Sequence, residues 1–227
     1  MRDSIGEICR QTSLTIAREI RDERSAAEAL RYLGMAEGGL GNAAMARGHL
    51  QEALATWRRL GVKERKVLNA LGMLRLREDD FDDAERLFEE ALALDREQGD
   101  LSCIAANLAN LAEISIRRGL GGRAHALVRE AIAIVGLKRL GVSLFDLTTE
   151  FAVLSGESER AARFHGATEA IFEQMSLHRE SQNATFHVSL IAEARDVLGA
   201  AAFDAAESAG RALSYDEAIA EARAWLE

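Results

Sequence analysis

Three groups of residues in this chain are of types that can do chemistry, and spacing decides what each can do. The first is the acidic run Asp79, Asp80, Phe81, Asp82, Asp83. Carboxylates this dense could bind a divalent cation. A calcium-binding loop, however, needs its oxygen ligands at alternate positions and a glycine at the sharp turn, and the run has neither. Apolar residues at helical spacing follow it, so Asp80 reads as an N-cap and the next acidic residues as first-turn charges that favour the helix dipole. The second group is the pair of glycine-rich stretches, "GGLGNAA" from Gly38 and "GLGG" from Gly119. Backbone N–H groups in such loops can cradle phosphate, but neither stretch follows a strand and no lysine completes a P-loop. Both fall between two helical patterns, where a turn belongs. The third group is His49, His125, His165, His178 and His187 with Cys9 and Cys103. No two histidines stand four apart, no HExxH occurs, and the cysteines lack CxxC spacing. They read as packed or solvated imidazoles and as free thiols in a reducing compartment. No serine elbow or cysteine-nucleophile signature is present. The residues nominate no catalytic group, no metal and no cofactor.

The elements that carry these residues are helical. The chain has 227 residues and no proline, and its residues are 48% apolar but only 5% aromatic. A core must then come from Ala, Leu, Ile and Val. With Ala, Leu, Glu and Arg dominant, an all-α fold is expected. A net charge of -9 argues against direct binding of DNA or RNA, whose phosphates call for a basic surface. The N-terminal stretch lacks the apolar segment of a secretory signal, and no run approaches the ~18 apolar residues that span a bilayer. A soluble, cytoplasmic protein without membrane partners is expected.

The helical pattern repeats. "SLTIAREIRDE" from Ser13, "ALATWRRLGVK" from Ala53, "ALALDREQGDL" from Ala91 and "AIAIVGLKRLG" from Ala131 align with steps of 40, 38 and 40 residues. Leu33-Gly34, Leu71-Gly72 and Leu111-Ala112 repeat in the same register, as do Ala46, Ala84 and Ala124. Each period holds two helices. Small residues on the first face Ala on the second, while Leu50, Phe88 and Val128 fill the space beside them. Ala53, Ala91 and Ala131 admit the next repeat.

Leu-Gly, then Ala twelve residues on, a large apolar residue four further and Ala three beyond that resembles the tetratricopeptide repeat. The sets are Leu33, Gly34, Ala46, Leu50, Ala53; Leu71, Gly72, Ala84, Phe88, Ala91; and Leu111, Ala112, Ala124, Val128, Ala131. The family's proline is missing, its early Trp is replaced by residues such as Leu68 and Leu108, and the period is nearer forty than thirty-four. The resemblance implies a right-handed α-solenoid of antiparallel helix pairs over residues 1–175. A half repeat at 4–21 precedes about four repeats, the last of them degenerate and running from Val142 to Met175. Residues 176–227 are expected to cap the array. Within them, one helix runs from Ser181 to Leu198 with Phe186, Leu190, Ile191, Val197 and Leu198 available for burial. A second runs from Ala200 and stops at Gly210. A third begins at Ser214, with Glu217 completing a capping box. "ERAARFHGATEA" and "LGAAAFDAAESAGRALSYDEAIAEA" also resemble the C-terminal helical-repeat region of large bacterial LuxR-type and related ATP-binding transcriptional regulators, although the chain lacks their ATP- and DNA-binding parts.

The first helices of such repeats line a concave face. By resemblance that face holds Arg31, Met35, Lys66, Asn69, Met73, Asn110, Glu113, Arg117, Asp146 and Glu150, positioned to bind a protein or peptide. The Lys/Asn/Arg set that clamps a peptide carboxylate in some family members is not reproduced, so a chaperone-tail adaptor is disfavoured. Ile5, Ile8, Cys9, Ile16 and Ile20 recur at helical spacing on a first helix that lacks a preceding partner, which suggests self-association as a homodimer. The expected function is a non-enzymatic interaction or sensor module of a bacterial regulator. The alternative is an effector-binding receptor region.

Overall fold

The computed structural model describes the backbone of residues 2–134, 138–176 and 181–227, and the side chains of 11–134, 144–176 and 185–227. Among these residues there are twelve α-helices and no strand. They are α1 (Arg2–Glu19), α2 (Glu23–Gly39), α3 (Ala43–Arg59), α4 (Arg65–Arg77), α5 (Phe81–Gln98), α6 (Leu101–Arg117), α7 (Gly121–Ile134), α8 (Lys138–Leu154), α9 (Ser158–Met175), α10 (Ser181–Leu198), α11 (Ala200–Arg211) and α12 (Tyr215–Leu226). Two compact units form, Met1–Gln98 and Gly99–Glu227. Within each, helices stack as antiparallel pairs, α2/α3 and α4/α5 in the first, α6/α7 and α8/α9 in the second. This is the packing of a helical solenoid.

Without proline, the repeat is punctuated by backbone conformation. Gly41, Asp79, Gly119 and Gly156 turn the chain inside successive pairs with φ of +84°, +56°, +67° and +76°. Arg21, Gly61 and Gly99 turn it between pairs with φ of +56°, +68° and +69°. The left-handed region favours glycine, and aspartate is among the side chains that best tolerate it. The two glycine-rich stretches are therefore turns. Helix starts carry short polar caps. Asp80 Oδ1 accepts from the Asp83 N–H at 3.3 Å, and Asp22 and Asp100 cap α2 and α6 in the same way. Ser214 and Glu217 form the expected capping box at α12.

The pairs interlock through size. A Cβ on Gly34 would lie 2.5 Å from Leu50 Cγ, and one on Gly72 would lie 2.7 Å from Phe88 Cε1. In the third pair the glycine becomes Ala112 and its neighbour shrinks to Val128; both are buried. Ala53, Ala91 and Ala131 are fully buried, and beside Ala53 and Ala131 the next helix, α4 and α8 respectively, packs on the helix that carries them.

The C-terminal helices depart from this pattern. Instead of pairing chiefly with α10, α11 packs most extensively on α9. Gly210 does not end α11, as expected from its sequence; it is buried within the helix, which continues to Arg211. The reason is a backbone contact. A Cβ at Gly210 would lie 1.8 Å from the Arg163 carbonyl, and one at Gly166 would lie 2.0 Å from the Glu207 carbonyl. In α10, Leu190 is buried and Phe186, Ile191 and Leu198 are partly so, whereas Val197 stays in solvent, contrary to expectation. Helix α12 returns to α7 and α9: Arg223 donates to the Ile132 carbonyl, and Trp225 stacks near Phe151 and Phe164.

Candidate functional site

The residues expected to line a concave face divide between the two units. In the first, α2 begins at its Asp22 cap and places Glu28, Arg31, Tyr32 and Met35 along one side. Arg31 is buried, donating to both Glu28 carboxylate oxygens at 3.0 and 2.6 Å and approaching Met35 Sδ at 3.1 Å. Its guanidinium lies 4.0 Å from the Tyr32 ring centroid. Tyr32 and Met35 are each 49% exposed. The hydrogen bonds from Arg31 hold the Glu28 carboxyl below its ordinary pKa, with help from the charges of Arg31 and Lys66. Lys66 itself is exposed in the first turn of α4, and Asn69 and Met73 follow it half-buried. The result is an apolar pair, Tyr32 and Met35, framed by fixed charges.

In the second unit the expected site residues form a buried polar cluster. Asn110 is half-buried on α6; Glu113, one turn on, pairs with Arg117 at 2.8 Å. The Arg117 guanidinium lies 5.5 Å from the Phe186 ring on α10. Helix α8 contributes Asp146 and the buried Glu150. Between them sits His187 of α10, 2% exposed. Its Nδ1 is 3.2 Å from Glu150 Oε1, and its Nε2 is 3.4 Å from His165 Nδ1 on α9. Asp146 Oδ1 stands 3.9 Å from the same Nε2, and Glu169 Oε1 is 3.9 Å from His165 Nδ1. An imidazole that donates from Nδ1 to a carboxylate has its Nε2 free to accept, so His165, His187 and Glu150 form one hydrogen-bonded chain. Burial pushes the Glu150 carboxyl above its ordinary pKa, opposed by its bond to His187. Such a chain can hold and relay a proton. Among the described residues no group of three His, Cys, Asp or Glu side chains is placed to hold a metal ion.

Thus Glu113, Arg117, Asp146 and Glu150 lie together, and Arg31, Met35, Lys66, Asn69 and Met73 lie on neighbouring helices of the other unit. Arg31, Glu113 and Glu150 are buried in existing pairs, so a partner would reach them only by displacing those pairs. Sequence reasoning gave His187 no role, because spacing within one helix carries no signal for a cluster assembled from four. The signal lies in the repeat: Glu113, Glu150 and His187 are separated by 37 and 37 residues. Ile5, Ile8 and Cys9 have side chains outside the described residues, as His178 lies outside them altogether.

Residues 65–98, which form α4 and α5, match the family model of the tetratricopeptide repeat. No curated protein matches the chain. The helix pair of that repeat recurs on either side of it, with the glycine-to-large-residue contact of Gly72 and Phe88 repeated at Gly34 and Leu50. No helix among the described residues is long and apolar enough to cross a membrane.

Proposed function

We infer that the chain is a non-enzymatic interaction module that binds a protein or peptide segment across α2 and α4. The observation that carries this reading is the half-exposed Tyr32 and Met35, one turn apart, beside the exposed Lys66. Apolar side chains held in place by a buried guanidinium offer an anchor site at low ordering cost, and a nearby exposed cation selects the partner's charge. The segment that fits carries an apolar side chain followed by a carboxylate. Tetratricopeptide repeats commonly mediate protein–protein contacts, which supports the reading. The C-terminal resemblance to LuxR-type regulators supports the sensor region of a regulatory protein as the setting of such a module. A small-molecule effector is the second reading, favoured by the buried polar cluster of the second unit. A thermal-shift screen of metabolites against the whole chain separates the two.

The test uses a photo-crosslinking residue in place of Met35 to capture partners, followed by affinity measurement with the captured segment. Lys66→Glu is expected to weaken that binding about tenfold, or ~1.4 kcal/mol, with unchanged circular dichroism. Equal affinity in the two proteins would move the binding surface elsewhere.

A further inference from the structure

We propose that the surface across α2 and α4 takes an acidic segment, whose run of carboxylates lies along the starts of the two helices and leads to an apolar anchor at Met35. It rests on the reading of α2 and α4 as the binding surface, and extends the partner's one carboxylate to several. Arg24, Glu28, Arg31 and Met35 follow at steps of four, three and four residues, so they share one side of α2. Glu28 accepts from Arg31, and Arg31 reaches Met35 Sδ at 3.1 Å, so the stripe is continuous. Arg24 and Met35 stand eleven residues apart. That is about 16 Å of helix, which about five residues of extended peptide span. Lys66 of α4 lies beside the stripe, close enough for its charge to act on Glu28. The Arg59–Glu23 pair, at 2.8 Å, brings the end of α3, which also carries Arg58, to the start of α2.

What this edge offers is uncommitted donors. Arg21, Arg24, Arg58 and Lys66 are exposed, and none of their side chains makes a hydrogen bond or an ion pair among the described residues. The carboxylates beside them are largely engaged. Glu23 pairs with Arg59 and Glu28 with Arg31, while Asp22 and Glu64 accept from the backbone at the starts of α2 and α4. Glu19, at the end of α1, is exposed and makes no such bond among the described residues. A single exposed ion pair adds little to affinity, because water and salt screen it. Several carboxylates must therefore meet several of these donors at once, and the apolar anchor fixes where the run lies. The net charge of -9 disfavours such a segment over the rest of the surface, which confines it to this edge.

A fluorescein-labelled peptide of two leucines followed by five glutamates tests this against the whole chain by fluorescence anisotropy, beside a peptide with glutamines in place of the glutamates. The glutamate peptide is expected to bind at least about tenfold tighter. It should lose about tenfold when salt rises from about 50 to about 500 mM, as the Debye length shortens about threefold. Arg24→Glu with Arg58→Glu should weaken it at least about tenfold with unchanged circular dichroism, whereas Arg129→Glu on α7 should change it less than about twofold. If the double variant fails to fold, Arg24→Gln with Arg58→Gln replaces it, with about a fivefold loss expected. Equal binding of the two peptides, no binding of either, or an oligothymidylate of the same charge binding as tightly as the glutamate peptide would overturn the acidic segment. Met35→Gln separates this from the reading beneath it. If the two peptides bind the wild type equally and both are lost in that variant, the α2–α4 surface stands and the acidic run falls. If the glutamate peptide alone binds, and binds wild type and variant alike, the acidic run stands and the apolar anchor falls.

Discussion

Met35 and Glu113 occupy one repeat register, 78 residues apart, and meet opposite fates. Met35 is half exposed beside Tyr32 and Lys66, whereas Glu113 is buried against Arg117 under the edge of α10. The scaffold beneath them is alike: a first helix packs on a second, with Gly34 against Leu50 in one unit and Ala112 and Val128 both fully buried at the matching positions in the other. The two positions differ in their cover. In the second unit the later helix α10 brings Phe186 and His187 against Arg117 and Glu150, and the residues there are ionisable. A repeat can thus keep its packing positions while another register changes from half-exposed surface to internal polar cluster.

The comparison breaks most completely if α10 to α12 are removed. Deleting residues 176–227 strips the cover from Glu150, Phe164 and Ala167, all buried in the whole chain. A solenoid end with its apolar face uncovered associates or melts. The truncated chain is expected to aggregate and to lose the cooperative transition of its second unit, read by size-exclusion chromatography and urea titration. A monomeric truncation that unfolds cooperatively would show that α6 to α9 close on themselves.

Two glycines sharpen it next. Gly72 faces a side chain, and the Phe88 ring can turn aside from a new methyl group. Overpacking costs ~1–3 kcal/mol, and alanine returns about 1 kcal/mol of helix propensity. Gly72→Ala should therefore cost ~2 kcal/mol or less. Gly210 faces the Arg163 carbonyl, which belongs to the backbone of α9 and cannot turn aside. Gly210→Ala should cost about 3 kcal/mol or more, with the loss confined to the second unit. Equal costs in urea denaturation would mean that α11 slides over α9 freely.

These glycines also mark where sequence reading stops. The repeat was legible because small and large residues recur together: Gly72, Ala84, Phe88 and Ala91 form one packed contact and return 38 or 40 residues away. The Asp80 cap was legible because capping is local, as was the Ser214–Glu217 box. Gly210 looks like a helix stop because glycine commonly ends helices. Only the approach of α9, forty-odd residues earlier in the chain, makes it an interior contact. The His187 cluster was hidden for the same reason. Its members come from four helices, and each alone is an ordinary polar residue in a chain rich in them.

A smaller effect tests whether helix starts matter equally in the two units. Asp80 caps α5, while α9 begins at Glu157 with no side-chain cap bond. Asp80→Ala should cost about 1 kcal/mol. Glu157→Ala should change stability by less than ~0.5 kcal/mol. Chemical denaturation resolves the difference, and matching losses would show that the Asp80 bond adds nothing beyond charge at the helix start.

The least change in stability, and the largest change in assembly, is expected at α1. This helix packs on α2 through Leu14 and Ala17, which are buried. Ile16 in the last turn of α1 and Ile20 just past its end are 50% and 67% exposed. Neither contributes much to the fold of its own chain, so Ile16→Glu with Ile20→Glu should alter stability by less than about 0.5 kcal/mol. Yet two exposed isoleucines one turn apart suit contact with a second copy, and a two-fold arrangement lets the same patch serve both chains. The wild-type chain is then expected to sediment as a dimer at tens of micromolar, and the double variant as a monomer with an unchanged melting curve. A wild-type chain that stays monomeric across that range would assign Ile16 and Ile20 to the solvated surface, and the open face of the first unit would then lie at α2 and α4 alone.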